Sequence, residues 1–298
     1  MTETHFRPLR SVLYMPGANT RALEKARTLD ADAIILDLED AVAPDTKDDA
    51  RRNVAAAMET GGYGDRVVAI RINGPDTAWF DADLAMAAEA QPDAVLVPKV
   101  SSGAEVDRLS ARMDASGVPA STRLWIMIET PRAILELSDI ARRSGTVDGR
   151  LAAFILGTND LAKETGAGLG EDRLAMVPWL TQTVAAARAY GLAVIDGVYN
   201  DFRDIDGLTR ECAQGRLLGM DGKTLIHPAQ LSVANTAFAP ADAEVALARE
   251  IIAAFAQPEN QSAGVLTVNG RMVERLHAEI AHRTVAIADA IAARDTAA

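Results

Sequence analysis

The chain has 298 residues, nearly half of them hydrophobic (49%), and a formal net charge of −12 at pH 7. That acidic field repels phosphate and excludes general nucleic-acid or anionic-membrane binding, although a small anionic ligand stays compatible with a local basic cluster. The lone Cys212 cannot close an internal disulfide, no run of about 18 apolar residues marks a membrane span, and MTETHFRPLRS lacks an apolar signal core, so a cytoplasmic protein without membrane or nucleic-acid partners is expected.

RSVLYMPG reads as a first strand closed by Pro16-Gly17, with Asn19 capping a helix from Arg21 to Leu29. AIILDLED is the second strand, followed by a helix over Thr46 to Met58. VVAIRIN is the third, with a helix around Trp79 to Glu89, and DAVLVPKV the fourth, with Glu105 to Ser116 helical after it. LWIMIET is the fifth, before a helix through Ile134 to Arg143. LAAFILGT is the sixth, followed by the glycine-rich loop Gly166 to Gly170 and a helix over Val177 to Tyr190. LAVIDGVY is the seventh, a helix follows over Phe202 to Gly215, and the eighth strand lies near MDGKTLI. Strands alternating with helices imply βα units and a parallel sheet, and eight of them predict a (β/α)₈ TIM barrel of α/β class. The barrel domain takes residues 1–238. Residues 239–298, with apolar Val245, Ala248, Ile252 and Phe255 at helical spacing, form a C-terminal helical lid or oligomerisation segment.

Six strands run into a charge at their C-terminal ends: Glu39 and Asp40, Arg71, Lys99, Glu129, Asp160 and Asp196. In a (β/α)₈ barrel those ends share the rim that carries the chemistry. Alternation puts Asp37 with Glu39, Arg71 with Asn73, and Glu129 with Trp125 and Met127, on faces that point into the mouth. The competing reading is an internal Arg–carboxylate network that only satisfies buried charges.

Glu129 and Asp160 are the candidate metal ligands. Two carboxylates with the remaining positions left to water and substrate oxygens suit Mg²⁺. Histidine is scarce, and no HExxH or paired CxxC occurs, which argues against zinc. The alternative for Glu129 is a carboxylate stabilised by the dipole of a helix starting at Pro131. Gly222-Lys223-Thr224 resembles the end of a P-loop, but Leu217 stands where the first glycine belongs and Pro228 interrupts any following helix. Gly166, Gly168 and Gly170 do not fit GxGxxG, and no GxSxG elbow exists. Cys212 reads as a small buried residue and His227 as a structural histidine.

RSVLYMPGANTRALEKA, DAIILDLEDAV, RINGPDT, AVLVPKV, IMIETPRAI, FILGTNDLA, VIDGVYNDFRDIDGL and GKTLIHPAQL together resemble the citrate lyase beta-subunit-like proteins. That group includes malyl-CoA and citramalyl-CoA lyases, within the wider HpcH/HpaI aldolase superfamily. The resemblance implies Mg²⁺-dependent cleavage or formation of a carbon–carbon bond in a malyl-, methylmalyl- or citramalyl-type CoA thioester, giving an acyl-CoA and a 2-oxo acid. It also implies that Glu129 and Asp160 hold Mg²⁺, that Glu129 and Lys99 lie against substrate, and that Arg71 stabilises the enolate at the thioester oxygen. Glu39 and Asp40 would hold Arg71 or metal-bound water. Arg21 and Lys25 would receive the phosphates of coenzyme A, unless they are plain solvated charges. By the same resemblance a homo-oligomer, trimer or hexamer, is expected.

One departure stands out. Where many such lyases carry an aspartate in a GRMVD-like motif of the lid, this chain has GRMVER, with Glu274 in the acid–base position. The carboxylate is one methylene longer, which leaves room for hydrolysis of the malyl thioester instead of carbon–carbon cleavage. A citrate lyase beta subunit acting on an acyl-carrier-protein thioester and a non-catalytic CoA-binding module are further alternatives.

Overall fold

In the computed structural model, which describes residues 6–145, 149–170 and 172–297, eight parallel strands close into a barrel in sequence order. They are β1 (Ser11–Pro16), β2 (Ala33–Asp37), β3 (Val67–Arg71), β4 (Ala94–Val97), β5 (Arg123–Ile128), β6 (Leu151–Leu156), β7 (Ala193–Asp196) and β8 (Gly222–Leu225). β8 pairs back onto β1, Ser11 opposite Lys223 and Leu13 opposite Leu225, and the ring is complete. The chain folds as a (β/α)₈ barrel, as its alternation of elements predicts.

The helices are α1 (Thr20–Ala26), α2 (Lys47–Thr60), α3 (Phe80–Ala90), α4 (Gly103–Ala115), α5 (Pro131–Leu135), α6 (Leu137–Ala141), α7 (Thr158–Thr165), α8 (Val177–Ala189), α9 (Ile205–Leu217) and α10 (Leu231–Phe238). Asn19 caps α1 by accepting the Ala22 N–H at 3.1 Å, so a sequence cue becomes a real boundary. The single helix expected over 134–143 is two short ones, since Glu136 leaves helical geometry between them.

Strand alternation divides the apolar residues into two layers. Val12, Ile35, Ala69, Leu96, Trp125, Met127 and Ile155 fill the barrel interior, whereas Leu13, Ile34, Ile70, Ile126 and Phe154 face the helices. Each fully buried aliphatic side chain contributes about 1.5–3 kcal/mol, so a one-residue slip of any strand would exchange the layers at large cost.

The chain divides into two compact units, Leu9–Phe238 and residues from Ala239 onward together with the segment through Pro8. In the second unit α11 (Asp242–Ala256) packs on α12 (Arg275–Ala297) around Ala248, Ile251 and Ala281. Between them β9 (Val265–Val268) and β10 (Arg271–Glu274) make an antiparallel hairpin. Its turn is Asn269-Gly270, both left-handed (φ 51° and 73°), as a tight hairpin turn requires. The sequence reading treats this stretch only as part of an appendage. Among the described residues no helix is long and apolar enough to cross a membrane.

Candidate active site at the barrel mouth

Arg71 is the pivot of the mouth. It ends β3 on the interior face and is 7% exposed. Its fork meets Asp37 at the end of β2 with two bonds, Nε to Oδ1 at 2.7 Å and Nη2 to Oδ2 at 2.6 Å. Such a bidentate, buried pair fixes the guanidinium plane. The third face is held by Glu39, whose Oε2 lies 2.9 Å from Nη1, while Asp40 stands off at 3.6 Å and is largely exposed. Asp37 also accepts the N–H groups of Glu39 and Ala41, so one carboxylate shapes the β2–α2 loop and aims Arg71 together.

That loop is pinned from outside by Lys47, at the start of α2. Its ammonium donates to the carbonyls of Leu38 (2.8 Å) and Glu39 (2.7 Å) and to Asn73 Oδ1 (2.7 Å). Burial draws the Lys47 ammonium below its ordinary value, against the pull of Glu39 and Asp37. Asn73 is occupied on its other side by Asp83 and the Leu38 carbonyl, so it braces the loop and offers nothing to a ligand. Burial also pushes the Glu39 carboxyl up to about 7, against Arg71, with Asp40 and Asp37 adding to the rise.

Glu129 follows β5 directly and is 2% exposed. Its Oε1 accepts the Lys99 N–H at 2.7 Å, and the Lys99 ammonium reaches Asp160 Oδ1 at 2.8 Å. One residue therefore ties the two carboxylates together. Lys99 does this from a left-handed backbone (φ 57°), uncommon for a residue with a side chain and a form of strain that clusters at functional sites. Glu129 reaches its place only because residue 157 is glycine: a Cβ there would fall on the Glu129 Cβ and 2.5 Å from its Oε2.

Burial pushes Glu129 up to about 7, opposed by Lys99 and reinforced by Asp160. The cap of α5 is supplied by Thr130, whose hydroxyl accepts the Ala133 N–H, while Glu129 takes the Lys99 N–H instead. The donor set fits a hard divalent cation. Two carboxylates are bridged by Lys99 and feel each other's charge, one raised by burial and the other neutralised by a half-exposed ammonium. Among the described residues no group of three His, Cys, Asp or Glu side chains could hold a metal, so further ligands would be water or substrate oxygens, as Mg²⁺ prefers.

Two expectations about the rim need correction. Asp160 is not on a strand end; β6 stops at Leu156 and Asp160 lies in the first turn of α7, where the sixth βα connection is only Gly157. Asp196 does not join the mouth. It sits next to interior Ile195 and so faces outward, fully buried against Lys223 (3.0 Å) and Arg173 (2.7 Å). Burial opposes its charge, yet those two cations hold its carboxyl below the usual range. At this strand the internal-network reading wins.

Arg21 and Lys25 lie on an exposed face of α1, just past the C-terminal end of β1, with no ion pair among the described residues. Glu274 ends β10 in the second unit, half-buried, and its N–H donates to His277 Nδ1 at 2.9 Å. The structure thus brings Glu39, Arg71, Lys99, Glu129 and Asp160 into the barrel mouth with Asp40 at its edge. It adds three residues that sequence reasoning did not assign roles: Asp37, Lys47 and Tyr14, whose ring lies against the Arg71 guanidinium from the interior face of β1. Asp37 was legible as the interior partner of Glu39; Lys47 and Tyr14 had no signal beyond their positions.

The family model for HpcH/HpaI aldolase/citrate lyase matches residues 10–228. The chain belongs to the HpcH/HpaI family. Its matched segment is essentially the whole barrel. A (3S)-malyl-CoA thioesterase of Cereibacter sphaeroides (strain KD131) is 52% identical over 286 residues, covering 96% of both chains. An L-malyl-CoA/beta-methylmalyl-CoA lyase of Rhodobacter capsulatus is 35% identical, over 89% of this chain and 90% of its own. Among solved structures, CitE of Mycobacterium tuberculosis in complex with magnesium, acetoacetate and coenzyme A shares 27% identity with a TM-score of 0.71, covering 93% of this chain and 97% of that one.

Proposed function

We propose that this HpcH/HpaI family member is a Mg²⁺-dependent thioesterase that hydrolyses a malyl-type 3-hydroxyacyl-CoA. The observation that carries the reading is the 52% identity, across 96% of both chains, with a protein named (3S)-malyl-CoA thioesterase, against 35% with a named malyl-CoA lyase. These relatives favour hydrolysis, which the GRMVER departure leaves open, over the carbon–carbon cleavage that the motifs first suggest. Magnesium is supported by the donor chemistry of Glu129 and Asp160 and by the CitE complex with magnesium.

When bound, Mg²⁺ supplies positive charge at the site of the developing oxyanion. The chain's own groups supply the rest. Glu39, with a proton affinity near neutrality, takes a proton from the attacking water. Arg71, its plane fixed by Asp37, presents an N–H to the thioester oxygen as charge grows there. Lys99 stands where a free substrate carboxylate can replace Asp160 as its partner. Arg21 and Lys25, one helical turn apart, meet the phosphates of coenzyme A. Glu274 exchanges a proton with the product, and the second unit joins copies of the chain in a trimer or hexamer.

The test is product analysis on (3S)-malyl-CoA with Mg²⁺. Free coenzyme A thiol with malate is expected. Acetyl-CoA and glyoxylate without free thiol would overturn hydrolysis in favour of cleavage, which the same oxyanion-binding mouth would also serve.

A further inference from the structure

The Arg71 fork is nearly spent on its own framework. Of its five N–H donors, Nε and one on Nη2 go to Asp37, and one on Nη1 goes to Glu39. The other Nη1 N–H is given to Met127 Sδ at 3.7 Å, so what remains for a substrate oxygen is one N–H on Nη2. An oxyanion is ordinarily met by two or more fixed donors, and the mouth should therefore hold another.

Tyr14 occupies that place. It lies on the interior face of β1, packed on the apolar cluster that fills the barrel, and Arg71 Cζ lies 4.7 Å from its ring centroid. The stack sets the ring beneath the guanidinium, as a cation–π contact would. Its hydroxyl has no hydrogen-bond partner among the described residues, whereas Asp37, Glu39, Glu129 and Asp160 around it all accept at least one. Nor is the residue sealed, as Tyr63 is: Tyr14 stays partly exposed. A half-buried hydroxyl without a partner, on the floor of a charged mouth, is the mark of a group waiting for a ligand.

Its chemistry is that of a donor. Burial raises the phenol well above its ordinary value; Arg71 opposes this, and Asp37, Glu129 and Glu39 add to it. The proton therefore stays on Tyr14 throughout the working pH range.

We propose that Tyr14 is a catalytic residue whose hydroxyl donates a hydrogen bond to the thioester oxygen, completing with Arg71 the binding site for the oxyanion. The assignment rests on the thioester reading above. Water adds to the carbonyl carbon as Glu39 takes its proton, and the C=O electron pair moves onto the oxygen. That charge is met by Tyr14 O–H and Arg71 N–H. When the C=O re-forms, the C–S bond breaks, the thiolate leaves with the electron pair and accepts the proton, and Tyr14 keeps its own proton throughout. The hydrogen bond to the carbonyl oxygen is weak in the bound substrate and strengthens as charge grows there, so it gives a small preference in binding and acts on kcat more than on KM.

The test is Tyr14→Phe, which keeps the ring under Arg71 and removes only the hydroxyl. A kcat lower by about 10²–10³-fold, with KM within about threefold and an unchanged melting temperature, is the effect of losing one oxyanion donor. A readout free of turnover accompanies it: binding of acetyl-CoA against S-ethyl-CoA, which lacks the carbonyl oxygen. The parent should prefer acetyl-CoA and Tyr14→Phe should lose the preference. If the variant keeps both the preference and kcat within twofold, Tyr14 is only a platform for Arg71 and the assignment falls alone. If the parent binds neither compound and hydrolyses no thioester, the thioester reading falls and takes this assignment with it.

Discussion

Gly157→Ala probes the candidate metal site without touching a charged group. Gly157 has φ −104°, outside the left-handed region that favours glycine, so the perturbation is chiefly the added methyl. The new methyl would land on the Glu129 Cβ and 2.5 Å from Oε2. The Glu129 Cβ is fixed at the end of β5 and cannot rotate away. The Gly157 N–H to Ile128 carbonyl bond (3.0 Å) keeps the two chain segments together. Overpacking of this kind costs about 1–3 kcal/mol. At about 2–4 °C per kcal/mol for a barrel of this size, the melting temperature should fall by about 2–12 °C. Mg²⁺ tolerates little departure from octahedral geometry, and disturbing a ligand's support costs about 10–100-fold in affinity. Isothermal titration with Mg²⁺, without substrate, reads that loss directly. Gly215→Ala is the control: its Cβ would approach Asp196 Oδ2 at 3.0 Å and Phe238 Cζ at 3.3 Å, so it should lower stability alone. A Gly157→Ala protein that melts lower yet binds Mg²⁺ as the parent does would remove Glu129 from the ligand set.

Asp160→Asn should weaken Mg²⁺ binding at least about 10-fold and turnover with it. Its ion pair with half-exposed Lys99 contributes only about 0–1 kcal/mol, so the melting temperature should hold; unchanged Mg²⁺ dependence would refute the role. Arg71→Lys keeps the charge but loses the fork that Asp37 grips, so kcat should fall at least about 100-fold, with about 1.5–3 kcal/mol of stability lost. A fully active lysine variant would end the oxyanion role. For Glu39 as base, raised to about 7, the ionised form is the active one. The ratio kcat/KM should therefore rise with pH through about 7, and Glu39→Gln should flatten that limb; an identical profile in the variant would assign it elsewhere. Glu274→Gln keeps size and removes the acid: a large fall in kcat is expected, and parental kcat would leave the second unit without chemistry.

The barrel was legible because its physics is local. Strands such as AIILD and LWIMI are apolar on both faces, as a parallel sheet covered by helices requires, and eight of them alternate with helical stretches. The interior face could also be read, since a period of two carries Asp37, Arg71 and Glu129 inward from Ile35, Ala69 and Met127. What alternation cannot carry is the residue past the strand end. Asp160 was reached by running β6 onward through Gly157, although the chain there turns into α7 at once. Lys99 breaks the pattern by its left-handed backbone, for which Pro-Lys gives no cue. Asp196 was misread for the opposite reason: it obeys alternation and so faces the helices, where Lys223 and Arg173 await it from distant stretches of sequence.

Charge balance explains why these parts belong to one site. Among the described residues the mouth gathers Asp37, Glu39, Asp40, Glu129 and Asp160 around Arg71 and Lys99, with Lys47 behind the loop, five carboxylates against three cations. Asp37 is satisfied twice over, by the Arg71 fork and by backbone N–H groups. The shortage therefore falls on Glu39 and Glu129, the two whose proton affinities burial lifts to about 7. A structural network would be expected to pair its buried charges, as Asp196 is paired between Lys223 and Arg173. Leaving carboxylates short of charge costs stability, and such a cost is typical of a site shaped for an incoming cation and a proton in transit. The contrast between the balanced pocket around Asp196 and the unbalanced mouth, within one barrel, separates support from chemistry more sharply than any one distance.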